Sequence, residues 1–164
     1  MSFLEIVLIL ATLLVALVAG FVFAFATVVM PGIGKLSDKE FIRSFQVIDG
    51  VIQAGQPVFG LVWLGSALAI LVSAVMGVLQ LDGIERAVIV ISALVYIFGV
   101  QVPTITINVP MNNNLQRLDV DAMDVDALAS ARSAFENRWV KWNTIRTIVA
   151  SLVSVALMVV LLWL

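Results

Sequence analysis

Residues 3–30 read FLEIVLILATLLVALVAGFVFAFATVVM, an apolar run in which Glu5 is the single charged side chain. A helix needs about 20 mostly apolar residues to cross the hydrocarbon core of a bilayer, and this run exceeds that length. It begins without Lys or Arg, and no small-residue cleavage site separates it from a soluble domain. We therefore expect a retained membrane span rather than a removable signal peptide.

Three more apolar runs follow along the chain, at about residues 57–79, 84–109 and 144–164. Their lengths suit helices and not the shorter, alternating strands of a membrane barrel. We therefore predict an all-α fold, an integral-membrane four-helix bundle that forms a single domain over residues 1–164.

Composition supports the same class of protein and removes several kinds of chemistry. Of the 164 residues, 62% are hydrophobic and 12% are charged, whereas soluble domains have about 25% charged residues. The chain has no His and no Cys, so disulfides, zinc sites, His-ligated haem and Cys nucleophiles are excluded. The net charge of -2, with acids and bases interspersed, argues against a nucleic-acid partner.

Basic residues predict the orientation of the bundle. Four spans place both termini on one side and the longer connections, 31–56 and 110–143, on the other. Arg86 lies on the terminal side, and the remaining basic residues lie on the long-connection side: Lys35, Lys39, Arg43, Arg117, Arg132, Arg138, Lys141 and Arg146. The positive-inside rule then places the long connections in the cytoplasm and both termini outside the cell (inner) membrane.

The first long connection reads as an amphipathic helix. Ser37 and Glu40 have the spacing of a capping box. At 100° per residue, one broad apolar face contains Phe45, Ile48, Val51 and Ile52, and a narrow polar stripe contains Gln46, Asp49, Gln53 and Gln56. Pro57 should kink or break this helix where it enters the second span.

The second long connection contains four aspartates, Asp119, Asp121, Asp124 and Asp126, which precede Arg132, Arg138 and Lys141. This order favours a helix that starts near Asp121 and runs into the fourth span. A calcium loop does not fit, because Met123 stands where an oxygen ligand is required, Asp124 replaces the turn glycine and Ser130 replaces the bidentate glutamate.

Small residues recur at four-residue spacing in two spans, as Ala16, Gly20 and Ala24 and as Gly65, Ala69, Ser73 and Gly77. Such ridges let helices approach closely in lipid. They are expected to be packing seams, either within one chain or between the chains of a homo-oligomer.

Polar residues at membrane depth are costly and indicate a partner, a cavity or water. Gln101, Thr104 and Asn108 share a face of the third span, and Pro110 is expected to interrupt that helix beside an amide cluster, Asn112 to Asn114. Glu136, Trp139, Asn143 and Arg146 repeat this spacing at the fourth span. These residues predict a polar pocket in the cytoplasmic half. The alternative is that they satisfy one another, with Arg146 paired to Asp49 or Glu136.

Four segments resemble the anthrone oxygenase-like family of small four-span membrane proteins, many of which have no assigned function. They are Val29-Met-Pro-Gly32, Phe45-Gln-Val-Ile-Asp49, Asn108-Val-Pro-Met-Asn112-Asn113 and Arg138-Trp139-x-x-Trp142-Asn143-x-x-Arg146. The resemblance covers nearly the whole chain and implies a four-helix membrane bundle. For the fungal polyketide-pathway members it implies oxidation of an anthrone to an anthraquinone with molecular oxygen. Asp49 stands where the family pattern has asparagine.

An anthrone is a carbon acid whose enolate reacts directly with oxygen, so this chemistry needs a base and a cation but no cofactor or metal. Asp49 is then the general base and Arg146 stabilises the oxyanion. Predicted substrate-binding residues are Gln46, Gln101, Thr104, Asn108, Asn112, Trp139, Trp142 and Asn143, with the indoles stacking on the substrate. The competing hypothesis is a non-enzymatic protein that binds a lipid or quinone-like molecule, or an accessory subunit of a membrane complex.

Overall fold

The computed structural model describes all 164 residues and contains five helices and no strands. They are α1 (Phe3–Ile33), α2 (Asp38–Gln53), α3 (Pro57–Gln80), α4 (Gly83–Gln116) and α5 (Val125–Trp163). All except α2 are long and apolar enough to cross a membrane. The prediction of an all-α bundle with four long apolar helices is confirmed.

The four long helices form a ring in which α1 packs against α3 and α5, and α4 packs against the same two helices. Towards the chain termini the ring is filled by an apolar core that includes Leu8, Val15 and Ile70. At the long-connection end a second core contains Phe41, Phe45 and other aromatic side chains. The two cores are separate clusters, and the candidate site lies between them.

Helix α2 covers the long-connection end of the ring. Its start has both bonds of the predicted capping box, from the Glu40 amide to the Ser37 hydroxyl and from the Ser37 amide to the Glu40 carboxylate. Its end is a break, as predicted: Gly55 adopts a φ of 84°, a value that glycine tolerates without strain. Pro57 then stands in the first turn of α3.

The polar stripe of α2 faces the inside of the bundle at Asp49. Asp49, assigned to a polar stripe, is buried beside Phe41, Ile42 and Phe45, whereas Val51 is exposed. The physical reason is that amide side chains of α4 hydrogen-bond the Asp49 carboxylate, so a polar group becomes part of the inward face.

Helices α1 and α4 contain three wider π-helical turns, Phe25–Val29, Ile97–Gln101 and Thr104–Asn108. Each ends two residues before a proline, namely Pro31, Pro103 and Pro110. Proline has no N–H and its ring crowds the carbonyl four residues earlier, so an ordinary α turn cannot continue there unchanged. The predicted interruption at Pro110 is therefore wrong: the wider turn accommodates the proline, and α4 continues to Gln116.

Helix α5 starts at Val125 rather than near Asp121, and it runs without a break into the fourth apolar segment. Asp124 caps it by accepting a bond from the Ala127 amide at 2.8 Å. Asp121 instead lies in the preceding loop, where it pairs with Lys39 at 2.9 Å and with Arg43. Hydrogen bonds from Lys39 and Arg43 lower the pKa of Asp121, so this loop is held against α2 by an ionised carboxylate.

The second small-residue ridge packs within the chain. Gly65 faces Leu14 of α1, and Gly77 faces Ile89 of α4. The first ridge differs, since Gly20 has no neighbouring side chain or backbone within 4 Å of the place a Cβ would occupy. A role of that ridge in a homo-oligomer stays a prediction.

Candidate functional site

A cavity of about 330 Å³ lies inside the bundle between the two cores, with walls from all five helices. Eight of the predicted site residues line it: Asp49, Gln101, Thr104, Asn108, Asn112, Trp139, Asn143 and Arg146. The structure therefore brings together residues that are almost 100 positions apart in sequence. Its polar groups form two poles, one around Arg146 and one around Asp49.

Two predicted site residues do not line the cavity. Gln46 donates to the carbonyls of Leu115 and Leu118, at 2.8 and 3.0 Å, and so fixes α2 to the end of α4. Trp142 is partly buried on α5 and lies outside the lining.

Arg146 is a buried cation without a counter-ion. Its side chain is 5% exposed, and its Nη1 and Nη2 donate to Thr104 Oγ1 at 2.8 Å and to Asn143 Oδ1 at 3.0 Å. Its Nε has no partner. The suggested ion pair with Asp49 or Glu136 is wrong, since Arg146 has no salt bridge and Glu136 pairs with Arg132.

The groups that hold Arg146 are themselves fixed. Thr104 donates its hydroxyl hydrogen to the Val100 carbonyl at 2.7 Å, which leaves its oxygen free to accept from Arg146. Asn143 donates to the Val22 carbonyl of α1 at 2.9 Å, which directs its oxygen at the guanidinium. The cation is therefore preorganised by neutral dipoles, as is required of a group that stabilises a developing negative charge.

Asn108 provides the clearest sign of a ligand. It is 2% exposed, lines the cavity, and has no hydrogen-bond partner at either Nδ2 or Oδ1. A buried polar group without a partner costs about 1–3 kcal/mol. An amide retained at this cost next to a cavity is available to both a donor and an acceptor on a bound molecule.

Asp49 forms the second pole. Its side chain accepts from Asn112 at 2.7 Å, from Gln53 at 2.6 Å and from Gln116 at 3.1 Å. Asp49 is buried, with 4% of its surface exposed, and no cation lies within salt-bridge distance of it. The carboxylate is thus held by neutral amide donors alone, which leaves its charge uncompensated beside the cavity.

Trp139 connects the two poles. Its indole Nε1 donates to Asn112 Oδ1 at 2.8 Å, and Asn112 in turn donates to Asp49. Its ring lies 5.9 Å from the Arg146 guanidinium carbon and packs against Phe25 and Phe45. Trp139 therefore lies next to the Arg146 pole and is linked to the Asp49 pole through Asn112.

Sequence reasoning missed the aromatic walls. Phe59 and Trp63 stack with ring centroids 5.4 Å apart and an interplanar angle of 22°. Phe21 lies 5.1 Å from Phe59 and 5.0 Å from Phe25. The available signal was the four-residue spacing of each pair, Phe21 with Phe25 and Phe59 with Trp63, which places both rings on one helix face.

Gln101 closes the deep end of the cavity. Its Nε2 lies 3.4 Å from the Ser66 hydroxyl and 3.3 Å from the Tyr96 hydroxyl, and these two hydroxyls are 2.7 Å apart. All three groups are buried. Gln101 therefore joins α4 to α3 through a satisfied polar cluster, and its donor group is already engaged.

The four apolar helices indicate a small multi-pass membrane protein, and its candidate site is an internal, aromatic-walled cavity. The family model described as anthrone oxygenase matches residues 49–157, which is more than half of the chain. This protein belongs to the anthrone oxygenase family. No curated protein and no solved structure matches it. The matched region begins at Asp49 and contains every predicted site residue except Gln46.

Proposed function

We propose that this protein is an oxygenase that requires no bound cofactor and acts on an anthrone- or hydroquinone-like aromatic compound. The observation that carries the proposal is a buried Arg146 without a counter-ion, next to an Asn108 without partners, on the wall of an aromatic cavity. Family membership supports the reaction class.

The reaction balances with molecular oxygen as the oxidant. Asp49 takes a proton from the methylene carbon of the anthrone, and the resulting enolate places its negative oxygen at Arg146 and Asn108. The enolate carbon transfers electrons to oxygen as a C–O bond forms, and protonation gives a hydroperoxide. Loss of water, with cleavage of the O–O bond and of the remaining C–H bond, leaves the quinone. Overall, an anthrone and O₂ give an anthraquinone and water.

The cavity suits such a substrate in size and lining. Small-molecule sites have volumes of about 300–1,000 Å³ and combine apolar walls with a few polar groups. This cavity, at about 330 Å³, is at the small end. Trp139 on one side and Phe59 and Trp63 on another give the cavity aromatic walls, which suit a fused-ring compound.

Oxygen uptake by the purified, metal-stripped protein tests the proposal, with a panel of anthrones and hydroquinones as substrates. Removing one group that stabilises an oxyanion lowers kcat by about 100- to 1,000-fold, and we expect Arg146→Gln to lose at least about 100-fold. Arg86→Gln is the matched control, because Arg86 is exposed and outside the cavity. Full activity in Arg146→Gln, or no oxygen uptake by the unmodified protein with any compound, would contradict the assignment.

Asp49→Asn tests the base separately. Asparagine cannot accept the proton, so turnover should fall while binding of the quinone product is retained. The family pattern has asparagine at this position. If the variant is fully active, Asp49 is not the base and another group must take the proton, whereas the role of Arg146 is unaffected.

A second candidate function is binding of a lipid or quinone-like molecule without turnover, alone or as an accessory subunit of a membrane complex. It is favoured by cavity-lining residues, such as Leu64, that are exposed on the outer surface of the bundle. Mass spectrometry of the purified protein distinguishes the two: a stoichiometric bound molecule, together with no oxygen uptake, supports binding.

We also propose that the long-connection end lies on the cytoplasmic side of the cell (inner) membrane. Eight of the nine basic residues lie in the two long connections or directly beside them. The chain has no cysteine, so single cysteines introduced at Lys39 and Glu85 can be labelled in intact cells with an impermeant reagent. Labelling at position 85 and protection at position 39 are expected. The reverse result would invert the orientation.

A further inference from the structure

The ring of helices is open on one side beside the cavity. Helix α3 packs closely along residues Gly83–Tyr96 of α4 and is bonded to Gln101, but it makes little contact with α4 beyond that residue, where the second π-helical turn lies. The helices therefore separate towards the long-connection end, at the level of the cavity.

Two apolar side chains lie at the gap between α3 and α4, and each contacts the cavity as well as the outer surface of the bundle. Leu64 of α3 and Ile105 of α4 both line the cavity and are 66% and 65% exposed. At 1.5 Å per residue they lie about 10 Å and about 16 Å inside the long-connection ends of their helices. At that depth in an apolar helix, exposed surface meets hydrocarbon rather than water.

The polar end of the cavity is built differently. Gln53 of α2 donates to Asp49 at 2.6 Å and lies 3.3 Å from Asn113 Oδ1 of α4. Both side chains line the cavity, and Gln53 bonds directly to the Asp49 carboxylate. An aromatic compound without charge would have to displace amide hydrogen bonds to pass there, whereas the side opening is lined by apolar groups.

We infer that the ligand is an uncharged, membrane-dissolved aromatic compound that enters and leaves sideways, from the bilayer, between α3 and α4. Leu64 and Ile105 border this opening and control passage. The identification of that ligand as a substrate rests on the proposed function. The route of entry and the expectation that the ligand dissolves in the membrane do not.

A thiol at the inner wall tests the route. Asn108→Cys gives a single cysteine in a cysteine-free chain and breaks no hydrogen bond, because Asn108 makes none. In lipid nanodiscs we compare its labelling by pyrenylmaleimide, which partitions into the bilayer, and by a sulfonated maleimide, which stays in water. We expect the first reagent to react at least about 10-fold faster, after correction for the rates of both with the unfolded protein.

Bulky substitutions at the opening complete the test. Leu64→Trp and Ile105→Trp, each added to Asn108→Cys, should slow pyrenylmaleimide at least about 10-fold. Leu68→Trp is the matched control, since Leu68 is one turn further along α3, is 64% exposed and lies outside the cavity lining; it should change the rate less than about 2-fold. Comparable rates for both reagents, no effect of tryptophan at the opening, or no labelling of the folded protein would each overturn the inference.

The labelling requires no turnover, so its failure is distinct from failure of the oxygenase. Selective labelling without oxygen uptake would retain the lateral route and favour the binding function. Oxygen uptake together with labelling from water would retain the oxygenase and reject the route.

Discussion

Replacing Asn108 with leucine should stabilise the protein while removing its function. The Asn108 amide is buried and both of its polar atoms lack partners, and burying such a group costs about 1–3 kcal/mol. Leucine removes that cost, and the adjoining cavity of about 330 Å³ provides room for its larger side chain. We therefore expect the free energy of unfolding to rise by about 1–3 kcal/mol, measured by reversible unfolding in mixed detergent micelles.

Asn143→Leu is the matched comparison, because it places the same substitution on the same cavity at an equally buried residue. Asn143 donates to the Val22 carbonyl and accepts from Arg146 Nη2, so its loss removes both bonds and leaves Arg146 Nη2 without a partner. The free energy of unfolding should fall by about 2–4 kcal/mol. Oxygen uptake should be lost in both variants. If both variants shift stability in the same direction, or if Asn108→Leu is destabilising, the interpretation of Asn108 as an unsatisfied ligand-binding group is refuted.

Three further predictions concern the scaffold. A Cβ on Gly99 would lie 2.8 Å from Val149, so Gly99→Ala should lower the free energy of unfolding by about 1–3 kcal/mol, and adding Val149→Ala should restore most of the loss. Arg132→Met removes bonds to Glu136, to Asp38 and to two carbonyls of the α1–α2 connection; thermal unfolding should show a loss of about 2–4 kcal/mol, whereas Arg138→Met should have little effect. Because hydrogen bonds lower the pKa of Asp121, its ionised form stabilises the 117–124 loop above the ordinary carboxyl pKa of about 4, and this stability is lost as the pH falls through the lower folded-state pKa. Protection of that loop against hydrogen exchange, taken relative to the intrinsic rate at each pH, should fall at acid pH in the unmodified protein and at neutral pH in Asp121→Asn. Unchanged protection in the variant would contradict this role.

Local signals in the sequence predicted much of the scaffold correctly. The four apolar runs, the Ser37 capping box and the break before Pro57 each depend on residues within a few positions of one another. Such features depend on local interactions along the chain, and the periodicity and spacing of residues indicate them directly. The helix end at Pro110 was mispredicted because a π-helical turn has no distinctive composition, and the chain could either break or widen there.

The site was predictable where polar residues occur at membrane depth, because hydrocarbon makes each of them informative. Asn108, Asn143 and Arg146 were found in this way. The hydrogen-bond partners of these residues could not be predicted, because Arg146 could reach several acceptors. Only the packed bundle shows that it bonds to neutral oxygens. Phe59 and Trp63 were missed because their four-residue spacing places both rings on one helix face but does not show whether that face meets lipid or a ligand.

The three π-helical turns also have a genetic consequence. Each wider turn holds one residue more than an α turn would, so it behaves as a single-codon insertion within a helix. A π turn and an α turn cover the same angle, so deleting one residue from Thr104–Asn108 would let the turn revert to ordinary α geometry and leave the direction of Asn112 towards Trp139 and Asp49 almost unchanged. Deleting one residue from an ordinary α turn of the same helix would instead rotate everything after it by about 100°. Length differences of one residue are therefore expected to be tolerated at these three turns and to rearrange the cavity of a relative when they fall elsewhere in the helices.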